Sequence, residues 1–249
     1  MTDVPKTHPR YESLMTRQRV EDGVKAGLVA TQGLIAHGRG EAFDYLVGEQ
    51  TIPAADEAAQ AAAANLLIAK NPVLSVNGNT AVLVPDELAA LQNALGCKME
   101  VNLFHRTEER VTKLASFLEA HGCTNVLGKG AQPTIPGLDH ERGRSTLDGI
   151  FSADVVLVPL EDGDRCQALR NMGKTIIVVD LNPLSRTARS ASVSITDNVR
   201  RAIPRITHHV AALSRAEAQR VSAAFDAHKN LRDTLEFMAE RLRVLGAQL

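Results

Sequence analysis

Five apolar runs in this 249-residue chain stop abruptly at residues that can hold charge or hydrogen-bond a ligand. Thr175 to Val179 leads into Asp180, Leu181 and Asn182, then Arg186 and Thr187. Val73 to Val76 leads into Asn77-Gly78-Asn79, and Met99 to Phe104 into His105-Arg106-Thr107. Ala153 to Leu160 leads into Glu161-Asp162-Gly163-Asp164-Arg165, and Ser192 to Ile195 into Thr196-Asp197-Asn198. Asp180, placed at the end of a β-branched run, can accept from ribose hydroxyls. Asn182 offers a donor and an acceptor to an amide or a base edge. Arg186 follows a Pro-Leu-Ser turn from which a guanidinium can fork onto phosphate; the plainer alternative is an Asp-Asn turn with a solvated arginine. Gly78 permits positive φ and lets backbone N–H groups approach an anion, or else marks an ordinary Asn-Gly turn. Glu161, Asp162 and Asp164 suit Mg²⁺ with its waters or a substrate ammonium; otherwise Asp164 caps a helix and the acids are solvated. Gly38 and Gly40 leave Arg39 on flexible backbone, while Arg10, Arg17 and Arg19 have the spacing of solvated helix positions.

The elements that would position these groups alternate. Strands at about 72–76, 99–104, 153–159, 175–180 and 192–195 are separated by helices at 85–95, 107–121 and 164–172, and runs such as Val155-Val156-Leu157-Val158 are apolar on both faces. That pattern predicts a parallel sheet covered on both sides, with the polar clusters meeting outside its carboxyl edge. Helices are also expected at 11–26 and 53–70, before the first strand, and over most of 198–247. Gly33 to Asp44 is a Gly-rich stretch and Gly122 to Gly149 is rich in loop residues. The organisation predicted is one α/β unit over 1–249: a helical part to about 70, a Rossmann-like core over 71–206, and C-terminal helices over 207–249. Leu231, Leu235, Met238, Leu242 and Leu245 recur at 4-3-4-3 spacing, either packing on the domain or forming a dimer seam. His208-His209, in the same helical region, reads as surface.

Composition narrows the function. Hydrophobic residues make up 44% but aromatics only 3%, so the core must be aliphatic. A net charge of -1 gives no ground for a nucleic-acid or membrane surface. Three cysteines without CxxC spacing read as reduced thiols, Met1 to Arg10 lacks an apolar signal region, and no run approaches a membrane span, so a cytoplasmic protein is expected. There is no GxxxxGK[ST], HExxH or GxSxG, and the two GxG starts at Gly38 and Gly128 lack a third glycine. The residues by themselves thus point to an anionic, polyfunctional ligand such as a nucleotide with a second phosphorylated substrate.

Longer strings carry a resemblance. The runs His8–Tyr11, Gly33–Tyr45 (GLIAHGRGEAFDY), Ser75–Asn79, Glu100–Phe104, Arg106–Arg110, Ile135–Leu138, Asp154–Arg165 (DVVLVPLEDGDR) and Asp180–Arg186 together resemble the archaeal phosphopantothenate synthetase family, also called 4-phosphopantoate–β-alanine ligase. The likeness covers about His8 to Ile206; Cys166 departs from the family pattern just after an intact Glu161–Arg165 run. It implies a Rossmann-type homodimer that joins 4-phosphopantoate to β-alanine with ATP and Mg²⁺, releasing AMP and pyrophosphate. It implies ATP contacts at Arg17, Arg39, Asp180, Leu181, Asn182, Arg186, Thr187, Asn198 and Val199. Strand-end position, not the resemblance, assigns Asn77, Gly78, Asn79 and Arg106 to 4-phosphopantoate, and Asp162 or Asp164 to Mg²⁺ or the β-alanine ammonium. A kinase or ADP-forming ligase would place phosphates at the same strand ends, and a nucleotide sensor would bind without turnover.

Overall fold

Aliphatic runs with no polar face build the centre of the molecule. In the computed structural model, which describes residues 4–249, they form a six-stranded parallel sheet: β1 Pro72–Val76, β2 Lys98–Val101, β3 Val126–Leu127, β4 Val155–Pro159, β5 Thr175–Val179 and β6 Val193–Ile195. The spatial order is β3-β2-β1-β4-β5-β6. Chain order therefore reverses between β1 and β4, and a crevice opens at that switch point. Helices α1 Tyr11–Lys25, α2 Thr31–Val47 and α3 Pro53–Ile68 precede the sheet. Helices α4 Gly78–Leu83 and α5 Pro85–Leu95 follow β1, and α6 Glu108–Ala120 follows β2. Then come α7 Gly163–Asn171 after β4, α8 Arg186–Ser190 after β5, and α9 Val199–Ala212, α10 Arg215–Ala224 and α11 Ala227–Gly246 after β6.

Both faces of the sheet are covered. Leu74, Leu157 and Ile177 pack on one side with Ala58 of α3, Leu88 of α5, Leu114 of α6 and Ile203 of α9. Their strand neighbours Val73, Val156 and Ile176 point the other way, onto Ile135, Ile150 and Leu169, as the two-residue period of a strand requires. Local chemistry sets the helix starts. Pro53 and Pro85 occupy first turns, where a missing N–H is harmless. Thr107 caps α6 by accepting from the Arg110 N–H at 3.2 Å.

Several expectations shift. β2 ends at Val101; Asn102 gives a last N–H to the Val76 carbonyl at 2.9 Å while its Nδ2 donates to the Arg144 carbonyl at 2.8 Å. β3 lies in the stretch expected as loop; two residues paired to Met99 and Glu100 of β2 are too short to show a period. Gly33 to Asp44 is not flexible but lies wholly within α2. Asp162, not Asp164, caps α7, accepting from the Arg165 N–H at 2.8 Å. His209 is half-buried and lies 2.8 Å from Asp56, while His208 is exposed as expected. Of the C-terminal leucine ladder, Leu231 and Met238 are buried, whereas Leu242 and Leu245 are exposed. Of the polar stretch Met1 to Arg10, the first three residues lie outside the described residues.

The loop from 128 to 152 crosses the second face of the sheet and is tied down by a buried carboxylate. Glu100 accepts from the Thr146 N–H and hydroxyl, each at 2.8 Å, and from the Ile150 N–H at 2.7 Å. Burial pushes its pKa up against those hydrogen bonds. Gly149 leaves the room: a Cβ there would stand 2.0 Å from Glu100 Oε2 and 2.4 Å from Thr146 Oγ1. Gly149→Ala is therefore expected to destabilise the protein by about 1–3 kcal/mol, whereas Gly246→Ala, with open space around it, should be nearly neutral. Urea midpoints of the two variants check the contrast.

Candidate functional site

A cleft of about 650 Å³ opens at the carboxyl ends of β1, β4 and β5, walled by α2 and by the start of α9. Its volume is that of a ligand pocket. The switch point is built into it. Asn77, at the end of β1, caps α4 through Oδ1, which accepts from the Thr80 N–H at 3.0 Å. Its Nδ2 donates to the carbonyls of Pro159 (2.9 Å) and Leu160 (3.2 Å), tying the ends of β1 and β4 together. Leu160 is held in the left-handed region, φ 59°, a conformation a leucine adopts only when its surroundings enforce it. Gly78 does not have positive φ; its small size instead admits the Leu28 carbonyl, which would lie 2.5 Å from any Cβ. Asn79 is buried and donates to the Gly33 carbonyl at 2.9 Å, joining α4 to α2.

The floor under β4 is an ion cluster. The Glu161 side chain has no exposed area and pairs with Arg165, likewise fully buried, and with Arg142 at 3.1 Å. Arg165 also donates to Ser75 Oγ on β1 at 3.2 Å, and Arg142 Nε lies 3.4 Å from Asp162 Oδ2. Burial pulls the Asp162 pKa upward, but Arg142, the Arg165 N–H and the Arg165 charge outweigh it and hold the group below its ordinary value.

The β5 end forms the opposite lip. Asp180 accepts from the Asn182 N–H at 2.9 Å and from the Ser185 hydroxyl at 2.5 Å. Its pKa is raised by burial, against the pull of those two bonds and of Arg39. Asn182 in turn accepts from the Leu184 N–H at 3.0 Å, and Thr187 donates to the Glu161 carbonyl at 3.1 Å. Asn198 caps α9 and donates to Asp44 of α2 at 3.0 Å; its neighbour Asp197 has a pKa raised by burial despite Arg201.

Most of the residues singled out in the sequence meet on this one wall: Arg39, Asn77, Gly78, Asn79, Asp162, Asp180, Leu181, Asn182, Arg186, Thr187, Asn198 and Val199. Arg17, Arg106 and Asp164 are absent from its lining. Arg17 is exposed on α1. Arg106 is folded inward, its side chain 2% exposed, donating to the Gly128 carbonyl at 2.5 Å and pairing with Glu108. Asp164 pairs with Arg186 at the surface. Sequence reasoning passed over His37, Glu41 and Arg110, which also line the cleft. Gly33, His37, Gly40, Glu41 and Asp44 recur at helical spacing, a signal masked by the glycines. Among the cleft's arginines, Arg110 donates to the His105 and Leu28 carbonyls, Arg142 pairs with Glu161 and Arg186 with Asp164. Arg39 makes no ion pair among the described residues, so its exposed guanidinium is available to a ligand.

Asn77→Asp keeps the capping oxygen but loses both donors to β4. It is expected to cost about 1–3 kcal/mol by stripping the Leu160 carbonyl of this donor and leaving the Pro159 carbonyl only the longer bond from the Thr80 hydroxyl at 3.4 Å, beside a new charge, measured as a lowered urea midpoint.

A sequence profile described as phosphopantothenate/pantothenate synthetase matches residues 54–241. A protein of Thermococcus onnurineus named 4-phosphopantoate–β-alanine ligase is 51% identical over 99% of this chain and 96% of its own length. The protein of that name from Thermococcus kodakarensis is 50% identical over 100% and 97%, and that from Methanosarcina mazei 47% identical over 100% and 99%. With a profile that spans the sheet and relatives that align from end to end, the chain belongs to the phosphopantothenate/pantothenate synthetase family.

Proposed function

We propose that this protein is an ATP-dependent, AMP-forming ligase that condenses 4-phosphopantoate with β-alanine to 4-phosphopantothenate, in coenzyme A biosynthesis. The observation that carries the reading is near-half identity, along the whole chain, to proteins bearing that name. The cleft gives it a physical basis: a large pocket at the switch point, lined by charged and amide side chains among apolar ones, with a guanidinium left unpaired.

A carboxylate is a poor electrophile and must be activated. Its oxygen attacks the α-phosphorus of ATP, pyrophosphate leaves, and an acyl-adenylate forms. The β-alanine nitrogen then attacks the acyl carbon and AMP leaves. The protein contributes position and charge compensation, because no covalent enzyme intermediate is needed. Arg39 and Arg186 take the nucleotide phosphates. Asp180, with lone pairs beyond those given to Asn182 and Ser185, takes the ribose together with Asn182. Leu181, Thr187, Asn198 and Val199 complete the nucleotide wall. Asn77, Gly78 and Asn79 shape the end of the cleft assigned to 4-phosphopantoate, with Arg142 in the place first given to Arg106.

Among the described residues no three His, Cys, Asp or Glu side chains gather as a metal cage. An ion carried on phosphate oxygens needs only one protein carboxylate. Asp162, which borders the cleft with its Oδ2 ion-paired to Arg142 at 3.4 Å and its Oδ1 capping α7, is the group we assign to Mg²⁺, which would take over that pairing and shield charge between phosphates. Among the described residues no helix is long and apolar enough to cross a membrane; the ligase reading places the enzyme in the cytoplasm. Exposed Leu242 and Leu245 on α11 suit burial in a homodimer.

Two experiments test the reading. Purified protein with ATP, Mg²⁺, 4-phosphopantoate and β-alanine should release AMP only when both substrates are present; ADP as product would sink it. Arg39→Ala should lower kcat/KM for AMP formation by roughly 10²–10³-fold while the thermal midpoint stays unchanged, since Arg39 is exposed. Full activity in that variant would remove Arg39 from phosphate binding.

A further inference from the structure

The proposed reaction leaves one chemical need unmet. The amino acid arrives as an ammonium ion, which has no lone pair and must lose a proton before it attacks. The structure assigns this task to His37, and the assignment rests on the ligase reading above. His37 and Glu41 stand one turn apart on α2, on the face that lines the cleft. Their side chains are 10% and 17% exposed, with His37 Nε2 3.4 Å from Glu41 Oε1. Nε2 is buried and has no hydrogen-bond partner. Among the described residues the ion pair the imidazole makes is with Glu41. A carboxylate beside Nε2 favours the tautomer with the proton on that nitrogen; the lone pair of Nδ1 is then free to accept. His105, the other imidazole on the cleft wall, is exposed and packs edge-on against Phe104.

A second cavity supports the assignment. It measures about 270 Å³ and shares Glu41 and Asn198 with the main cleft. Glu12, Glu41, Asp44 and Glu49 line it against Arg200 and Arg201. Carboxylates outnumber guanidiniums, so a cationic amine is concentrated beside Glu41. In the step itself His37 takes one proton from the ammonium, and the freed lone pair forms the C–N bond. The bond between the acyl carbon and the adenylate oxygen breaks, AMP leaves with the electron pair, and the second nitrogen proton passes to water as the amide forms.

Partial reactions separate the outcomes. Exchange of pyrophosphate into ATP with 4-phosphopantoate alone reports adenylation; AMP release with β-alanine reports adenylation and condensation together. Wild-type protein showing neither would overturn the ligase reading itself. With wild type active, His37→Gln should lower the ratio of β-alanine-dependent AMP release to exchange by about 100-fold or more, and Glu41→Gln by about tenfold. Hydroxylamine, an acceptor already unprotonated at neutral pH, should bring both ratios back toward the wild-type value. An unchanged ratio in these variants, or a fall that hydroxylamine does not relieve, would overturn the proposal. If His37→Gln fails to fold, the Glu41→Gln ratio decides alone.

Discussion

The Glu161 carboxylate, with no exposed area and a guanidinium on either side, is the contact on which the rest of the cleft depends. A buried charge is costly to desolvate, so it persists only with its partners in place, and removing one typically costs about 3–5 kcal/mol. Here the partners come from different parts of the chain. Arg165 belongs to α7 and reaches Ser75 on β1; Arg142 comes from the long loop over the second face of the sheet. The Glu161 carbonyl also receives the Thr187 hydroxyl from α8. The Glu161 carboxylate thus joins the ends of β1 and β4 and the loop that Glu100 anchors further along, while its backbone carbonyl ties in the segment after β5. The left-handed backbone at Leu160 is the local cost of turning the chain from β4 into this cluster.

The sheet was legible in the sequence because a parallel sheet needs runs apolar on both faces, and Val155–Val158 and Ile176–Val179 have no other easy reading. The start of the helix expected from 107 was legible to within one residue, because Thr107 caps α6. Other features were hidden for identifiable reasons. Glycines at 33, 38 and 40 argue against a helix by propensity, yet α2 is continuous because Val47 and Asp44 are buried against its neighbours. β3 is shorter than any period. Glu100 looks like a solvated acid until its three backbone and hydroxyl donors, forty-six to fifty residues away in sequence, are seen.

The cleft itself follows from topology: polar residues after parallel strands converge whatever their individual roles. What one sequence conceals is how many of them the fold already uses. Asp180 shapes its own loop, Asn77 laces two strands and Asn198 caps a helix, while Arg106, at the same kind of position, turns inward to a carbonyl. Strand-end position selects the right neighbourhood without saying which groups have spare hydrogen-bonding capacity.

Helix α2 carries a consequence for the far end of the chain. Its three glycines make it intrinsically weaker than an alanine-rich helix by roughly 3 kcal/mol, so its straightness is borrowed from what it leans on. One support is α11, the last helix, which packs along it and sets Arg241 over Gly48 at its end. The wall that presents Arg39 and His37 is thus splinted by residues about two hundred positions further along the sequence. The C-terminal helix has no side chain in the cleft, yet it acts as the cleft's buttress, and drift in its packing would be felt as slack in the site.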